Sequence, residues 1–260
     1  MAGNNGNAKC KRTIVQYRDR RLLGSFADLP LIERRHAELI APFGSVTRSN
    51  TRLLALKRAG LLRRFYLGTG GSARRAIYAI SPRGAQLVGI PYRRLARRDD
   101  EMLAVDLFAE HQLAINDIYC TLKHAPIPGG AFIRWITFRE PIAPGVELIP
   151  DGYIEIAAAK SIAMFLEVDL GTEQLSVWQT KIRSYVSYAI SGKFADRFSQ
   201  PQFRTIVVTN SDSRLASLRR ATATVTEKIF WFTTIAQIKQ QEFWSAIWQR
   251  PSDGPPQRLL

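Results

Sequence analysis

The 260-residue sequence predicts an α+β protein of two modules, a helical N-terminal part that closes in a β-hairpin and a C-terminal part built on a mixed α/β sheet. Three observations carry that expectation. Apolar residues recur at helical spacing from Arg18 to Ala59, then give way to two strand-like runs around a glycine-rich turn. Beyond Asp100, helical and strand patterns alternate. The charge divides at the same place: residues 1–100 hold 21 Lys and Arg against 6 Asp and Glu, whereas residues 101–260 hold 16 of each. The expected organisation is a flexible N-terminus (1–17), a first domain (18–92), a linker (93–100), a second domain (101–249) and a flexible tail (250–260).

Length and composition allow two domains with real cores. No run of about 18 apolar residues is present and the first thirty residues lack the order of a secretory leader, so the expected location is cytoplasmic, with no membrane partner. Cys10 and Cys120 have neither CxxC spacing nor nearby zinc-type histidines, which predicts reduced, idle thiols. A net charge of +15 concentrated in the first hundred residues predicts a polyanion partner, double-stranded DNA, through counterion release.

In the first module, Leu22, Leu23, Phe26 and Leu29 mark a helix that ends at Pro30, and a second helix runs from Leu31 to about Ile40. Pro42-Phe43-Gly44 forms a turn. Ser45 or Thr47 caps a third helix that stops at Ala59-Gly60. Its first turns carry Thr47, Arg48, Ser49, Asn50 and Arg52, with Lys57 further along, while Leu53, Leu54 and Leu56 anchor it, the division a recognition helix needs. Leu61–Tyr66 and Ala76–Ile80 then read as a hairpin wing, with Arg63 and Arg64 on one strand and Arg74 and Arg75 by the Gly68–Ser72 tip. Ser81-Pro82 opens a short closing helix. This module resembles the winged helix-turn-helix domains of bacterial regulators, which implies DNA contact. Some winged helices bind proteins instead.

The second module opens with a helix expected over 100–122, whose apolar stripe of Leu103, Leu107, Ile115, Ile118 and Leu122 includes His111, with Glu110 at its edge. A histidine on such a stripe has two roles open to it, a hydrogen-bonded core residue first and a site residue second. Strand composition follows at 132–138, 151–156 and 162–170. If the turn after Ile156 centres on Ala159, paired residues have numbers that sum to 318, so Asp151 lies opposite Glu167. Glu167 and Asp169 then share one face, with Met164, Leu166, Val168 and Leu170 on the other.

Two facing carboxylates repel unless a proton or cation intervenes, and a hard divalent ion such as Mg²⁺ suits them. Asp151 and Glu167, with Glu110 as accessory, are the candidate metal ligands; Asp169, Lys181 and His111 complete the candidate catalytic set. The plainer alternatives are a Pro150-Asp151-Gly152 turn and a surface role for Lys181. Thr172 is expected to cap the helix that carries Lys181. A strand at 203–210, a helix at 213–228, a strand at 229–235 and a terminal amphipathic helix bearing Phe243, Trp244 and Trp248 complete the sheet.

The order helix, strand, Pro-Asp strand, Glu-x-Asp strand, helix, strand resembles the PD-(D/E)xK nuclease superfamily. More narrowly, the winged helix with His-Gln-Leu-Ala-Ile-Asn-Asp (111–117), Pro-Asp-Gly (150–152), Phe-Leu-Glu-Val-Asp-Leu-Gly-Thr-Glu (165–173) and Lys-Ile-Arg-Ser-Tyr (181–185) resembles the replication-relaxation family of bacterial plasmids and other mobile elements. The resemblance implies a role in replication, DNA relaxation or mobilisation, with Asp151 and Glu167 as metal-binding carboxylates. The chain departs from the pattern at Asp169, where the superfamily has its lysine, and Lys181 is the candidate replacement. Two functions stay open: a Mg²⁺-dependent endonuclease or nickase, or a non-catalytic DNA-binding factor, as a homodimer or with a relaxase or replication protein. A transcriptional regulator whose second domain dimerises is a third.

Overall fold

A computed structural model describes residues 13–68, 74–103 and 106–260. Cys10 and the expected wing tip at 69–73 lie outside the described residues. The chain divides into two compact units, the first extending through Ala109 and the second from Glu110 to Leu260.

The first unit runs α1 (Tyr17–Gly24), a 3-10 turn (Ser25–Ala27), β1 (Ile32–Glu33), α2 (Arg34–Ile40), α3 (Val46–Arg58), β2 (Leu62–Leu67), β3 (Arg75–Ile80), α4 (Pro82–Val88) and β4 (Met102–Leu103). Leu22, Leu23, Leu53, Leu56, Phe65 and Ile77 are all fully buried and form its interior. The third helix starts as expected: Ser45 accepts the Arg48 N–H at 3.2 Å, which satisfies one of the N–H groups left open at a helix start. Gly60, at φ 70°, turns the chain out of α3, and Ser81 caps α4 in the same way as Ser45. β2 and β3 pair antiparallel, Leu62 with Ile80 through Leu67 with Arg75. The second helix begins at Arg34 rather than Leu31, because Ile32 and Glu33 are extended and pair with Tyr78 and Ile77.

The second unit holds most of α5 (Leu107–His124), followed by β5 (Ala131–Ile136), β6 (Gly152–Ala157), β7 (Ile162–Asp169), α6 (Leu175–Ile190), α7 (Lys193–Phe198), β8 (Arg204–Thr209), α8 (Asp212–Ala223), β9 (Phe230–Thr234) and α9 (Ile235–Gln241). The sheet order is β5-β6-β7-β8-β9, antiparallel from β5 to β7 and parallel from β7 to β9, a mixed sheet as the sequence predicts. Gly152 pairs with Leu166, Ile154 with Met164 and Ile156 with Ile162, so the register is the one whose numbers sum to 318. One sheet face buries Met164, Leu166, Val168, Ile206 and Val208 with Ile115, Ile118 and Leu122 of α5. The other buries Phe165 and Val207 with Trp178, Ile182 and Tyr185 of α6 and Leu215 of α8.

Several expectations change. The helix expected over 100–122 begins at Leu107, because Asp106 accepts the Ala109 N–H at 2.9 Å and so fixes the start. Leu107 is 60% exposed and does not join the stripe. Thr172 does not cap α6; the helix starts after Gln174. Phe243, Trp244 and Trp248 are buried but follow α9 in an irregular strap rather than a helix. That strap makes bridges from Phe232 to Gln249 and from Trp248 to Gln257, and Leu259 is buried, so the residues after Arg250 are held against the sheet instead of hanging free.

Pro150-Asp151-Gly152 is not a turn. Gly152 begins β6, and a Cβ there would stand 2.5 Å from Trp135 Cζ2, so its role is to let the indole cross the strand. Gly152→Ala should therefore destabilise the protein by about 1–3 kcal/mol, the usual cost of overpacking, as measured by urea unfolding followed through tryptophan fluorescence. Relief by a second change, Trp135→Leu, checks the cause.

Candidate functional site

At the C-terminal end of β7, Glu167 and Asp169 point to the α6 side of the sheet and are 3% and 6% exposed. A carboxylate buried to this degree needs donors. Glu167 finds two on α6: Lys181 Nζ lies 3.0 Å from Oε2 and the Tyr185 hydroxyl donates to Oε1 at 2.6 Å. Residues four apart on a helix share a face, which is why one strand residue meets both. Lys181 also pairs with Glu173 Oε1 at 2.9 Å, so its ammonium sits between two carboxylates. Burial lifts the Glu167 carboxyl from 4.5 to about 7, with the Asp151 charge adding to the rise and Lys181 and Tyr185 restraining it. Burial would lower Lys181, but the carboxylates of Glu167 and Glu173 outweigh it and leave the ammonium above its ordinary value.

Asp151, one residue before β6, follows the same register and donates its N–H to Leu166 O at 3.0 Å. Its Oδ2 accepts the Val168 N–H at 2.7 Å and lies 3.3 Å from His111 Nε2. The same Nε2 is 2.9 Å from the Val168 carbonyl. His111 is thus attached to the site and not merely a core residue. Burial opposes its charge, but Asp151, the Val168 carbonyl and Glu167 together hold its pKa above 6.5.

Asp169 is occupied differently. Arg214, in the first turn of α8, grips it with two bonds, Nε to Oδ1 at 2.9 Å and Nη2 to Oδ2 at 2.6 Å. Gly171 N–H adds a third at 2.6 Å. Sequence reasoning therefore brings together Asp151, Glu167, Lys181 and His111, and sets Asp169 beside them in a closed ion pair. It missed Tyr185, Glu173 and Arg214 as site residues. Tyr185 had a signal, its four-residue spacing from Lys181. Arg214 had none, since it lies 45 residues from its partner.

Among the described residues, no group of three or more His, Cys, Asp or Glu side chains could hold a metal ion by itself. Glu110 does not join Asp151 and Glu167 in such a group; one residue from His111, it lies about 100° around the helix. Two carboxylates do fit Mg²⁺, which takes most of its ligands from water and phosphate. Asp151 Oδ1 has no protein partner among the described residues, since Val168 and His111 both engage Oδ2.

The ten residues expected to touch DNA fall into two sets. Thr47, Arg48 and Asn50 are exposed on α3 and Arg74 is exposed before β3, over the Tyr66 ring at 4.1 Å. The others are engaged within the first unit. Ser49 is buried and bonds the Ser45 carbonyl, and Arg52 Nε holds the buried Asp19 at 2.8 Å. Lys57 and Arg64 share Asp100 at 2.7 and 2.6 Å, Arg63 pairs with Asp99 at 2.7 Å, and Arg75 with Glu33 at 3.1 Å. Residues 93–100, expected as a linker, thus fold back on β2.

The proton balance of the cluster has a direction. Between 4.5 and about 7 the folded chain binds more proton at Glu167 than the unfolded chain, so this contribution to stability is complete below 4.5 and is lost as pH rises through about 7. His111, also raised, contributes most below 6.5 and loses its contribution as pH rises through its folded value. The stability advantage of the wild type over Glu167→Gln should shrink from pH 5 to pH 8 in urea unfolding. A constant or growing difference contradicts the assignment.

Searches against curated proteins and against solved structures each found no match. A family model described as replication-relaxation matches residues 20–199, from within α1 to the end of α7, and so takes in the α3 surface and the Asp151, Glu167 and Lys181 cluster. With most of its length matched, the chain belongs to the replication-relaxation family.

Proposed function

We propose that this chain is a DNA-binding protein of a plasmid or other mobile element, and that its second unit is a PD-(D/E)xK-type site that nicks or cuts DNA with Mg²⁺. The observation that carries the reading is the Lys181 ammonium 3.0 Å from Glu167, on the strand whose register sets Asp151 opposite. The lysine absent at position 169 is supplied from α6.

The first unit supports the DNA half of the proposal. Its helix order with an antiparallel hairpin fits a winged helix, and Thr47, Arg48 and Asn50 occupy the exposed start of α3, where base edges and phosphates are met.

In the second unit Asp151 and Glu167 would hold Mg²⁺, whose chemistry there is to polarise the scissile phosphate and lower the pKa of an attacking water. Tyr185 fixes the rotamer of Glu167, and His111 with the Val168 N–H fixes Asp151. Lys181 orients the water and stabilises charge on the phosphoryl oxygens, and Glu173 holds the ammonium in place.

A second reading has its own observation. Asp169 is closed by Arg214, and both oxygens of Glu167 are engaged, which suits a self-neutralised structural network. In that case the protein binds DNA without cutting it and positions it for a relaxase or replication protein, alone or as a homodimer.

Supercoiled plasmid incubated with the protein and Mg²⁺ separates the two. Nicking that falls about 100-fold or more in Asp151→Asn, Glu167→Gln and Lys181→Met, with DNA affinity kept, supports the nuclease. No nicking, or equal nicking by wild type and variants, leaves the binding factor. Arg48→Ala with Arg74→Ala should weaken binding and flatten its salt dependence by about two phosphate contacts. Unchanged salt dependence removes the α3 surface.

A further inference from the structure

At the edge of the sheet away from Glu167, two arginines lie over one tryptophan. Arg204, the first residue of β8, has its guanidinium 5.1 Å from the centre of the Trp231 ring, and Arg250 of the C-terminal strap is 4.5 Å from the same centre. The edge is distinct from the candidate nuclease site: Arg204 pairs with Met164, which faces α5, whereas Glu167 pairs with Val207 on the α6 face. At roughly 3.3 Å per residue, three residues add about 10 Å along the strand to that difference of face.

These cations stand apart from the other half-buried cations of the described residues. Arg52, Lys57, Arg63, Arg64, Arg75, Arg97, Lys181 and Arg214 each pair with a carboxylate. Arg204 and Arg250, both half-buried, have no carboxylate partner among the described residues; Arg204 donates to the Leu259 carbonyl and Arg250 to the Glu227 carbonyl at 2.8 Å. The neighbouring Arg219 takes Asp253, at 3.5 Å, and the Arg250 and Ser252 carbonyls. Burial, and for Arg250 also the charge of Arg204, depresses both guanidinium pKa values, a cost that a bound anion would offset. Each guanidinium offers five N–H donors and spends few of them on carbonyls. With each guanidinium within 5.1 Å of the one ring centre, the two are at most about 10 Å apart, a separation that two successive phosphates of a strand or the phosphate of one nucleotide spans.

Beside Arg204 is an open cavity of about 480 Å³, with Lys160 and Gln202 at its polar side and Phe203 and Leu259 among its apolar walls. A mostly apolar hollow with a few cationic and amide groups suits a nucleoside next to its phosphate.

We propose that Arg204 and Arg250 form a second phosphate site, one that holds a nucleotide phosphate ester, either within a DNA strand or free. The site does not depend on the nuclease assignment or on α3.

The full chain carrying Arg48→Ala and Arg74→Ala, which weaken the first-unit surface, is the background for the test. In it, binding of a labelled oligonucleotide is measured from 50 to 300 mM salt, with and without Arg204→Gln and Arg250→Gln. In parallel, thermal unfolding of the otherwise wild-type chain and of Arg250→Gln is followed with added deoxyadenosine monophosphate or inorganic phosphate. Arg250→Gln alone removes one exposed bond to a carbonyl, so it preserves the fold if the double change does not. Residual oligonucleotide binding that weakens about tenfold in the arginine variants, with a salt slope lower by one or two phosphates, assigns the site to a strand. A rise in melting temperature with the nucleotide that Arg250→Gln abolishes assigns it to a free phosphate ester. If neither oligonucleotide affinity nor nucleotide-induced stabilisation senses these substitutions, the proposal is overturned. That failure leaves the nicking and α3 tests untouched.

Discussion

Burial of the Glu167 charge is the constraint around which the second unit is arranged. A carboxylate 3% exposed in the middle of a sheet is tolerated only where ammonium and hydroxyl donors meet it, and those donors must come from a helix packed over the strand. That fixes the direction and rotation of α6: Trp178, Ile182 and Tyr185 enter the core while Lys181, on the flank, reaches the same carboxylate as Tyr185. It also fixes the register of β6, since a slip of one residue would turn Asp151 and Glu167 away from each other and take Tyr153 off Phe165. The aromatic cluster around Phe165, with Phe203 at 4.9 Å and Tyr153 at 5.2 Å, resists such a slip.

Much of this was legible in the sequence because it is local. The β6–β7 hairpin, its register and the alternation of faces follow from spacing and period alone, and the Lys181 placement follows from helix geometry after the Gly171 break. What the sequence concealed was long-range or context-dependent. Arg214 reaches Asp169 from another crossover. Gly152 serves Trp135 on the neighbouring strand β5, and not a turn. The terminal tryptophans share helical spacing, yet the bridges of Gln249 to Phe232 and of Trp248 to Gln257 win over a helix there. Asp106 as a cap was hidden by an apolar pattern that continues on both sides of it.

The first unit illustrates a limit of counting charges. Its excess of basic residues is real, but Asp19, Glu33, Asp99 and Asp100 neutralise half of the residues that sequence pattern assigns to DNA. Arg52 and the Asp19 carboxylate are a structural pair that locks α3 to α1. The surface left for a polyanion is smaller and more polar than the composition suggests, with Thr47 and Asn50 as prominent as Arg48 and Arg74.

The switch of the sheet from antiparallel to parallel at β7 has an electrostatic consequence. Because β7 and β8 run the same way, the helices that follow them, α6 and α8, both begin at the sheet edge where Asp169 sits. Each helix start carries a partial positive charge from its aligned peptide dipoles. The second unit, with 16 basic and 14 acidic side chains, therefore has a polarised backbone whose positive pole lies near Asp169. Part of the cost of burying the Asp169 carboxylate is met by the crossover topology itself, through groups that no tally of lysines and arginines includes.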